Sequence, residues 1–531
     1  MNWTAYPLVR LAILFVTGMA MADFFMDLID VNSVVLIILL CILIVIMAVT
    51  FMMRTNRRTV TLFGVSSALF CILFGMVLYV GACNRVKVVL EGDVVAIKGV
   101  LDDFPVSHKN TFGLNVKRAD ERIFHLYVPK KDSIRVGSLH VGDTIIARAV
   151  YPRVTFAYDN HKDSVNIRNT SFIGYADYLF YNGVSATCYA PSDSYRVIRS
   201  LSEPSLIARL RHIGKNAAKL YEESGLDSEN AAIVEAMTIG DKSRIPVSLK
   251  NSYSRAGVSH VLALSGFHLT IIYFLLNVLL LGGLTIRKWR WISRIVIFVF
   301  IWAFTFMAGM PPSLVRSALM CSLMMLSSVF GLSGMSITSC AFAAVIMLLV
   351  NPLLIMNVGF RLSFISVVGI CLMGVPLSML LKTRSFLLNN IWGMMSITLS
   401  CTLFTAPLVA YHFGYFSFCS LLSNLLVSLL ATGVLAVSAL WWMMYPFLGV
   451  RNVLAYVLEW ISSIMNAIVR WFASFDHAIV EWKPALLEVV LFYVALMFII
   501  RFAYRRKSRQ LVWGLSALVC MLAVATIRNL S

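Results

Sequence analysis

From residue 33 to residue 53 the chain reads SVVLIILLCILIVIMAVTFMM, an apolar run without one charged side chain. About 20 such residues suffice to cross the hydrocarbon of a bilayer. A lone segment there can satisfy its own backbone N–H and C=O groups only as a helix. Similar runs recur at 8–25 and 60–82 and throughout the second half of the 531 residues. Only 13% of the chain is charged, roughly half the share usual in a soluble domain. The sequence is therefore that of a polytopic membrane protein. Its formal net charge of +19 is partly topological, because cytoplasmic loops collect Lys and Arg, and is not by itself a nucleic-acid signal.

Charge also orients the first spans. Asp27 and Asp30 separate the first from the second, whereas Arg54, Arg57 and Arg58 separate the second from the third. The positive-inside rule puts the amino terminus in the cytoplasm and residue 84 onward outside. Ala20-Met21-Ala22 has the look of a signal cleavage site, but Arg10 is the only basic residue before it and further spans follow. An anchor is the better reading.

Residues 84–200 have a different character: no stretch is long enough to span, charges are frequent, and period-two alternation replaces the long runs. EGDVVAIKGVL at 91–101 and VGDTIIARAV at 141–150 share a Gly-Asp turn followed by a β-branched run, with strand-like stretches at 111–116 and 122–128 between them. Four to six short strands at this spacing predict a small β-barrel or sandwich. An OB-like barrel fits the length, and such barrels often bind single strands. Lys109, Phe112, Lys117 and Arg118 are candidates for a basic-aromatic platform guiding a strand, or simply for a solvated hairpin face. Of ten cysteines, most lie in apolar spans as small hydrophobes. Cys83 and Cys188 stand at the two edges of this region and would pair in an oxidising compartment. No Cys/His cluster has zinc spacing.

Residues 201–256 read as connecting helices. The first is amphipathic, with Leu206, Leu210, Ala217 and Leu220 opposite Arg209, Arg211, Lys215 and Lys219. A helical bundle at 257–450 and a tail at 451–531 follow, with basic turns at Arg287, Lys288, Arg290 and Arg294, at Lys382 and Arg384, and at Arg501, Arg505, Arg506, Lys507 and Arg509. Two layouts fit after residue 412. Either 418–445 and 452–475 each cross once, or the first is a hairpin and the second, with Trp460, Arg470 and Trp471, lies in the interface. The fold class is mainly α: a polytopic transmembrane bundle of roughly 11–13 hydrophobic segments with residues 84–200 inserted as a small extracytoplasmic, OB-like β domain after the three helices of 1–83.

Within the bundle, GVSHVLALSGFHLTIIYFLL at 257–276 carries Ser265, Gly266 and His268 inside an expected span, with His268 about ten residues deep. GMPPSLVRSALM puts Arg316 one turn into its helix, and NVGFRLSF does the same for Arg361. Each has a bland reading: snorkelling for the arginines, an internal bond for the histidine. Together, cations beside helix starts on the outer side suggest a vestibule that favours an anion.

The ordered series IGDKSRIP (239–246), AGVSHVLALSGFHLTII (256–272), PPSLVRSALM (311–320), NPLLIMNVGFRLSFISVVGI (351–370) and APLVAYHFGYFSFCSLLSNLL (406–426) resembles the ComEC-type competence channel family. GYADYLFYNGVSA at 174–186 is similar to the close of that family's amino-terminal OB-like domain. The resemblance covers roughly residues 1–450. It implies an inner-membrane channel that imports DNA as a single strand during natural transformation. Its motif positions fall on Gly240, Asp241, Ser265, Gly266, His268, Arg316, Gly359, Arg361, Ser363 and Asn424 as pore and entrance. Asn357 stands where the family pattern has an acid, and Arg361 where it has glutamine. Many relatives also carry a carboxy-terminal metallo-β-lactamase-like domain. This sequence has no HxHxDH run, Phe475-Asp476-His477 being too little, so no hydrolytic activity is expected of it.

Nor is there a phosphate-binding G-x-x-x-x-G-K-[ST] loop to power movement. Ser265 and His268 are as well explained by packing as by catalysis. No catalytic residue, cofactor or metal is assigned. Expected partners are single-stranded DNA, membrane lipids, an external DNA receptor, a cytoplasmic helicase-type motor, a separate nuclease and a second copy of the chain. Two other functions remain open: transport of lipid-linked or other anionic envelope material, and a non-transporting membrane scaffold.

Overall fold

The computed structural model describes residues 7–26, 33–53, 56–87, 94–103, 105–107, 110–137, 139, 141–154, 175–198, 206–242, 244–281, 287–329, 337–381, 384–475 and 478–530. Helices dominate. In chain order they are α1 (Pro7–Met26), α2 (Ser33–Met52), α3 (Arg57–Val86), the short α4 (Ser133–Gly137) and α5 (Tyr175–Tyr181), α6 (Leu206–Glu222), α7 (Ser228–Thr238) and α8 (Val247–Arg255). The bundle helices are α9 (Gly266–Leu281), α10 (Arg287–Met307), α11 (Pro312–Val329), α12 (Ile337–Val350), α13 (Val358–Gly369), α14 (Val375–Ser378), α15 (Phe386–Phe413), α16 (Ser420–Met443), α17 (Leu448–Ala473), α18 (Leu486–Arg505) and α19 (Ser508–Leu530). Among the described residues nine helical stretches are long and apolar enough to cross a membrane, and four shorter apolar helices accompany them. This is a multi-pass membrane protein.

Two compact units divide the chain. Met1–Ser164, Ile173–Ala208 and Met335–Arg361 form the first; Val165–Phe172, Arg209–Gly334 and Leu362–Ser531 form the second. In the first unit α3 packs against both α1 and α2. A Cβ at Gly18 would overlap the carbonyl of Ile72, and one at Gly75 that of Phe15, so glycine lets α1 and α3 touch through backbone. Only 6% of the apolar window of α2 is buried, a surface that hydrocarbon alone accepts.

The β domain belongs to this unit. Its strands are β1 (Val94–Leu101), β2 (Val106–Ser107), β3 (Thr111–Arg118), β4 (Ile123–Pro129), β5 (Thr144–Val154), β6 (Val184–Tyr189) and β7 (Tyr195–Ile198). They hydrogen-bond in the order β1-β3-β4-β6-β5, and β5 pairs back to β1, which closes a ring. The β4–β6 pairing is parallel and the rest are antiparallel. Alternation fills the inside of the ring: Ile97, Leu101, Leu114, Val116, Phe124 and Leu126 are all buried there. The expected pairing of Cys83 with Cys188 does not form, and both thiols are free. Cys188 shares the inward parity of Ala186 and is spent on the barrel core, while Cys83 is buried on α3.

In the second unit α9, α10 and α11 close around Leu269, Ile297, Ile301, Leu314, Ala318 and Cys321. The unbroken α16 removes the layout in which residues 418–445 form a hairpin. It packs instead against α17, and a short ladder of β8 (Tyr415–Ser417) with β9 (Ile479–Glu481) sets the start of α16 beside the end of α17. The neighbouring α18 and α19 form an antiparallel pair clasped at one end by Arg528 and the buried Glu488, 2.9 Å apart.

Candidate functional site

The approach to α9 is not helical in the way its apolar letters predict. After α8 the backbone turns at Gly257 with φ +75°, makes one 3-10 turn over Ser259–Leu262, and runs extended at Ala263 before α9 starts at Gly266. His268 therefore sits in the first turn of its helix, not ten residues deep, and Ser265 precedes the helix rather than sharing a face with the imidazole. The Ser265 backbone N–H donates to His268 Nδ1 at 3.3 Å. This is half of a capping box with imidazole where Glu or Gln usually stands, and it satisfies one of the donors orphaned at a helix start. With Nδ1 accepting, the proton of a neutral ring is on Nε2. The side chain is 1% exposed.

Gly266 brings α9 onto α11. A Cβ there would overlap Ser317 Oγ and stand 2.8 Å from Arg316 Nη2. Arg316, the fifth residue of α11 and 8% exposed, does not snorkel. Its Nε–H donates to Ser363 Oγ at 2.7 Å and Nη1 to Met320 Sδ at 3.6 Å, and the guanidinium carbon lies 5.8 Å from the centre of the Phe364 ring. A buried guanidinium is expensive unless its donors are satisfied, and these contacts engage them with hydroxyl, thioether and ring. One turn earlier Ser313 Oγ donates to the Leu264 carbonyl at 2.9 Å. Gly240, at φ +95°, also lies against Leu264, with a Cβ position 2.6 Å from Leu264 Cδ1. Gly240, Ser265, Gly266, His268, Arg316 and Ser363 thus come from separate stretches of sequence into one cluster.

Asp241 directly follows Gly240, is half-buried and lies close enough to Glu235 to act on its charge; the other expected residues are placed elsewhere. In the first unit Asn357 Oδ1 accepts from the Phe360 N–H at 3.2 Å, and its Nδ2 donates to Asn182 Oδ1 at 3.1 Å. It caps α13, a duty that an aspartate would perform as well. Arg361, half-buried, turns back to donate from Nε to the Ile355 carbonyl at 2.6 Å and to contact Met356 Sδ. Gly359 is exposed. On α16, Asn424 Oδ1 is buried without a hydrogen-bond partner among the described residues. Beside it Ser423 Oγ donates to the Ala256 carbonyl at 2.6 Å. Of the β-domain platform, Lys109 lies outside the described residues. Phe112 is not exposed but leans on the barrel core, since it shares the parity of Leu114 and Val116. Lys117 is half-buried, and the exposed Arg118 pairs with Asp120 at 3.7 Å.

A charged cluster was not anticipated. Glu235 on α7 is fully buried, and its Oε1 lies 3.2 Å from Arg244 Nη1, which also pairs with Glu222. Its Oε2 has no hydrogen-bond partner among the described residues. Burial pushes the carboxyl up to about 7; Arg244 opposes this, while Glu222 and Asp241 reinforce it. A glutamate inside the run NAAIVEAMTIG was the available signal. Equally unforeseen is the polar seam of α7 and α8 with α17: Asn466 Nδ2 donates to Asn230 Oδ1 and Tyr253 OH to Asn466 Oδ1, both at 2.8 Å, while Asn230 Nδ2 donates to Glu459 at 2.5 Å.

The family model described as Competence protein matches residues 237–506. ComE operon protein 3 of Bacillus subtilis (strain 168) is similar to this chain, with 28% identity over 210 residues, covering 39% of this chain and 25% of that protein. The chain therefore aligns with about a quarter of the length of that relative. No solved structure matches. Every bundle residue of the cluster, from Gly240 to Ser363, falls within the family match.

Proposed function

This chain belongs to the Competence protein family, and we propose that it is an inner-membrane channel admitting a single strand of DNA during natural transformation. The observation that carries the reading is the buried Arg316, held beside the starts of α9 and α11 by Ser363 and admitted there by Gly266. Two helix amino termini and a fixed guanidinium raise the local potential where phosphates would pass. Hydroxyls from Ser265, Ser313, Ser317 and Ser363 supply exchangeable neutral bonds, so a phosphate is attracted without being trapped. Family membership favours DNA over lipid-linked cargo or a scaffold.

The closed ring of the β domain supports an OB-type reading: five strands with a parallel third-to-fifth pairing and α4 between the third and fourth. In this reading residues 84–200 are extracytoplasmic, the amino terminus lies in the cytoplasm, and the β domain binds the incoming strand before it enters the channel. An external receptor, a cytoplasmic helicase-type motor and a separate nuclease complete the system, and two copies of the chain form the working unit. The chain itself conducts and does not hydrolyse.

The test replaces Arg316 or His268 by alanine and measures uptake of labelled DNA at matched levels of membrane-inserted protein. Arg316→Ala should reduce uptake by about tenfold or more, the weight of one lost charge-assisted phosphate contact. Undiminished uptake in both variants removes the model.

A further inference from the structure

Between α18 and α19 the chain reverses in two residues. Arg506 takes the left-handed region at φ 54° and donates its N–H to the Phe502 carbonyl at 2.7 Å, and the Lys507 carbonyl accepts from the Gln510 N–H at 2.9 Å. The turn crowds Arg501, Arg505, Arg506, Lys507 and Arg509 into nine residues, all of them exposed. None makes an ion pair with a described residue. Glu488 is the last acid in the sequence, and it sits at the other end of the hairpin, clasped by Arg528. No acid among the described residues pairs with the patch, and the positive end of the α19 dipole at Ser508 adds to it.

The surroundings say what kind of anion fits. Both helices are apolar enough to span, and only 22% of the α18 window and 6% of the α19 window are buried. At the level of the cations, Tyr504 is 56% exposed, Val512 60% and Trp513 63%. Tyr504 OH donates to the Leu372 carbonyl at 3.0 Å, which fixes the turn against the bundle. Aromatic and apolar side chains ringed by cations match the boundary between acyl chains and headgroups. A nucleic acid laid on the same cations would leave Trp513 and Val512 facing water. We propose that the α18–α19 turn is a binding site for the headgroup phosphates of anionic phospholipids and that it seats this hairpin in the bilayer. Nothing in it depends on whether the bundle conducts DNA.

The experiment uses the full chain in vesicles containing spin-labelled phosphatidylglycerol or spin-labelled phosphatidylcholine, with motionally restricted lipid read by electron paramagnetic resonance. The wild type should prefer phosphatidylglycerol. The triple substitution Arg505→Gln, Lys507→Gln, Arg509→Gln should lower that preference by about tenfold, since each cation near an anionic surface contributes. The charge-retaining set Arg505→Lys, Lys507→Arg, Arg509→Lys should keep it. Should the neutral variant fail to insert, a salt titration of the wild type decides, because the preference must fall as salt screens the cations. Equal preference in the neutral and wild-type chains, insensitivity to salt, or displacement of the lipid by a single-stranded oligonucleotide overturns the proposal.

Discussion

Gly266 has no room for a methyl group, because Ser317 Oγ occupies the space that a Cβ would take and Arg316 Nη2 stands just behind it. Gly266→Ala should therefore push α9 off α11 and destabilise the chain by about 1–3 kcal/mol, the usual range for overpacking. Thermal unfolding in detergent would register the loss, and an unchanged midpoint would mean that the two helices have slack. For His268, the half capping box separates two roles. Glutamine at this position can still accept from the Ser265 N–H, so His268→Gln should retain stability, whereas His268→Ala should lose about 1 kcal/mol. If His268→Gln also retains DNA uptake, the imidazole is a cap; if uptake falls while the melting temperature holds, it faces the strand. Glu235 gives a pH signature. Its folded pKa of about 7 lies above the usual carboxylate value of 4.5, so the folded chain holds a proton that the unfolded chain releases. Its contribution is fully present below about pH 4.5 and is lost as pH rises toward 7, up to about 3 kcal/mol. Unfolding followed from pH 5 to pH 8 should show that decline, and Glu235→Gln should flatten it.

At the scale of elements, the seam of Asn230, Tyr253 and Asn466 bonds α7 and α8 to α17 through neutral groups that are mostly buried. Asn466→Leu strands the donor of Tyr253 and the acceptor of Asn230. A loss of about 2 kcal/mol or more is expected, because buried polar groups without partners carry their full desolvation cost; a neutral result would mean that water reaches the seam. The long spans α1, α2 and α3 were legible to within a few residues, since apolar length alone dictates them. Four strands of the barrel were legible from alternation, yet β6 was read only as part of a motif, although VSATCY alternates as well. The start of α9 was not legible: VLAL continues the apolar run unbroken, while Gly257 and the 3-10 turn break the hydrogen-bond ladder beneath it. Hydropathy reports solvent preference and says nothing about where a helix is capped. For the same reason the motifs announced that Gly266 and Arg316 matter, but not that one exists to admit the other.

For the whole molecule, membership of the Competence protein family and a multi-pass helical body fix the class of the protein, and the buried Arg316 is the point at which cargo and bundle are proposed to meet. Two positive features carry the proposals made for this chain: the buried guanidinium of Arg316 and the exposed cations of the α18–α19 turn. The most direct test of the central claim is to place a photo-crosslinking phenylalanine analogue at Phe364, whose ring lies against Arg316. The same analogue at Tyr456, exposed on α17, serves as the reference. A labelled strand stalled in mid-uptake by a bulky end should crosslink at Phe364 and not at Tyr456. Crosslinking absent at Phe364 while uptake proceeds normally would contradict the account, because DNA would then be entering by another path.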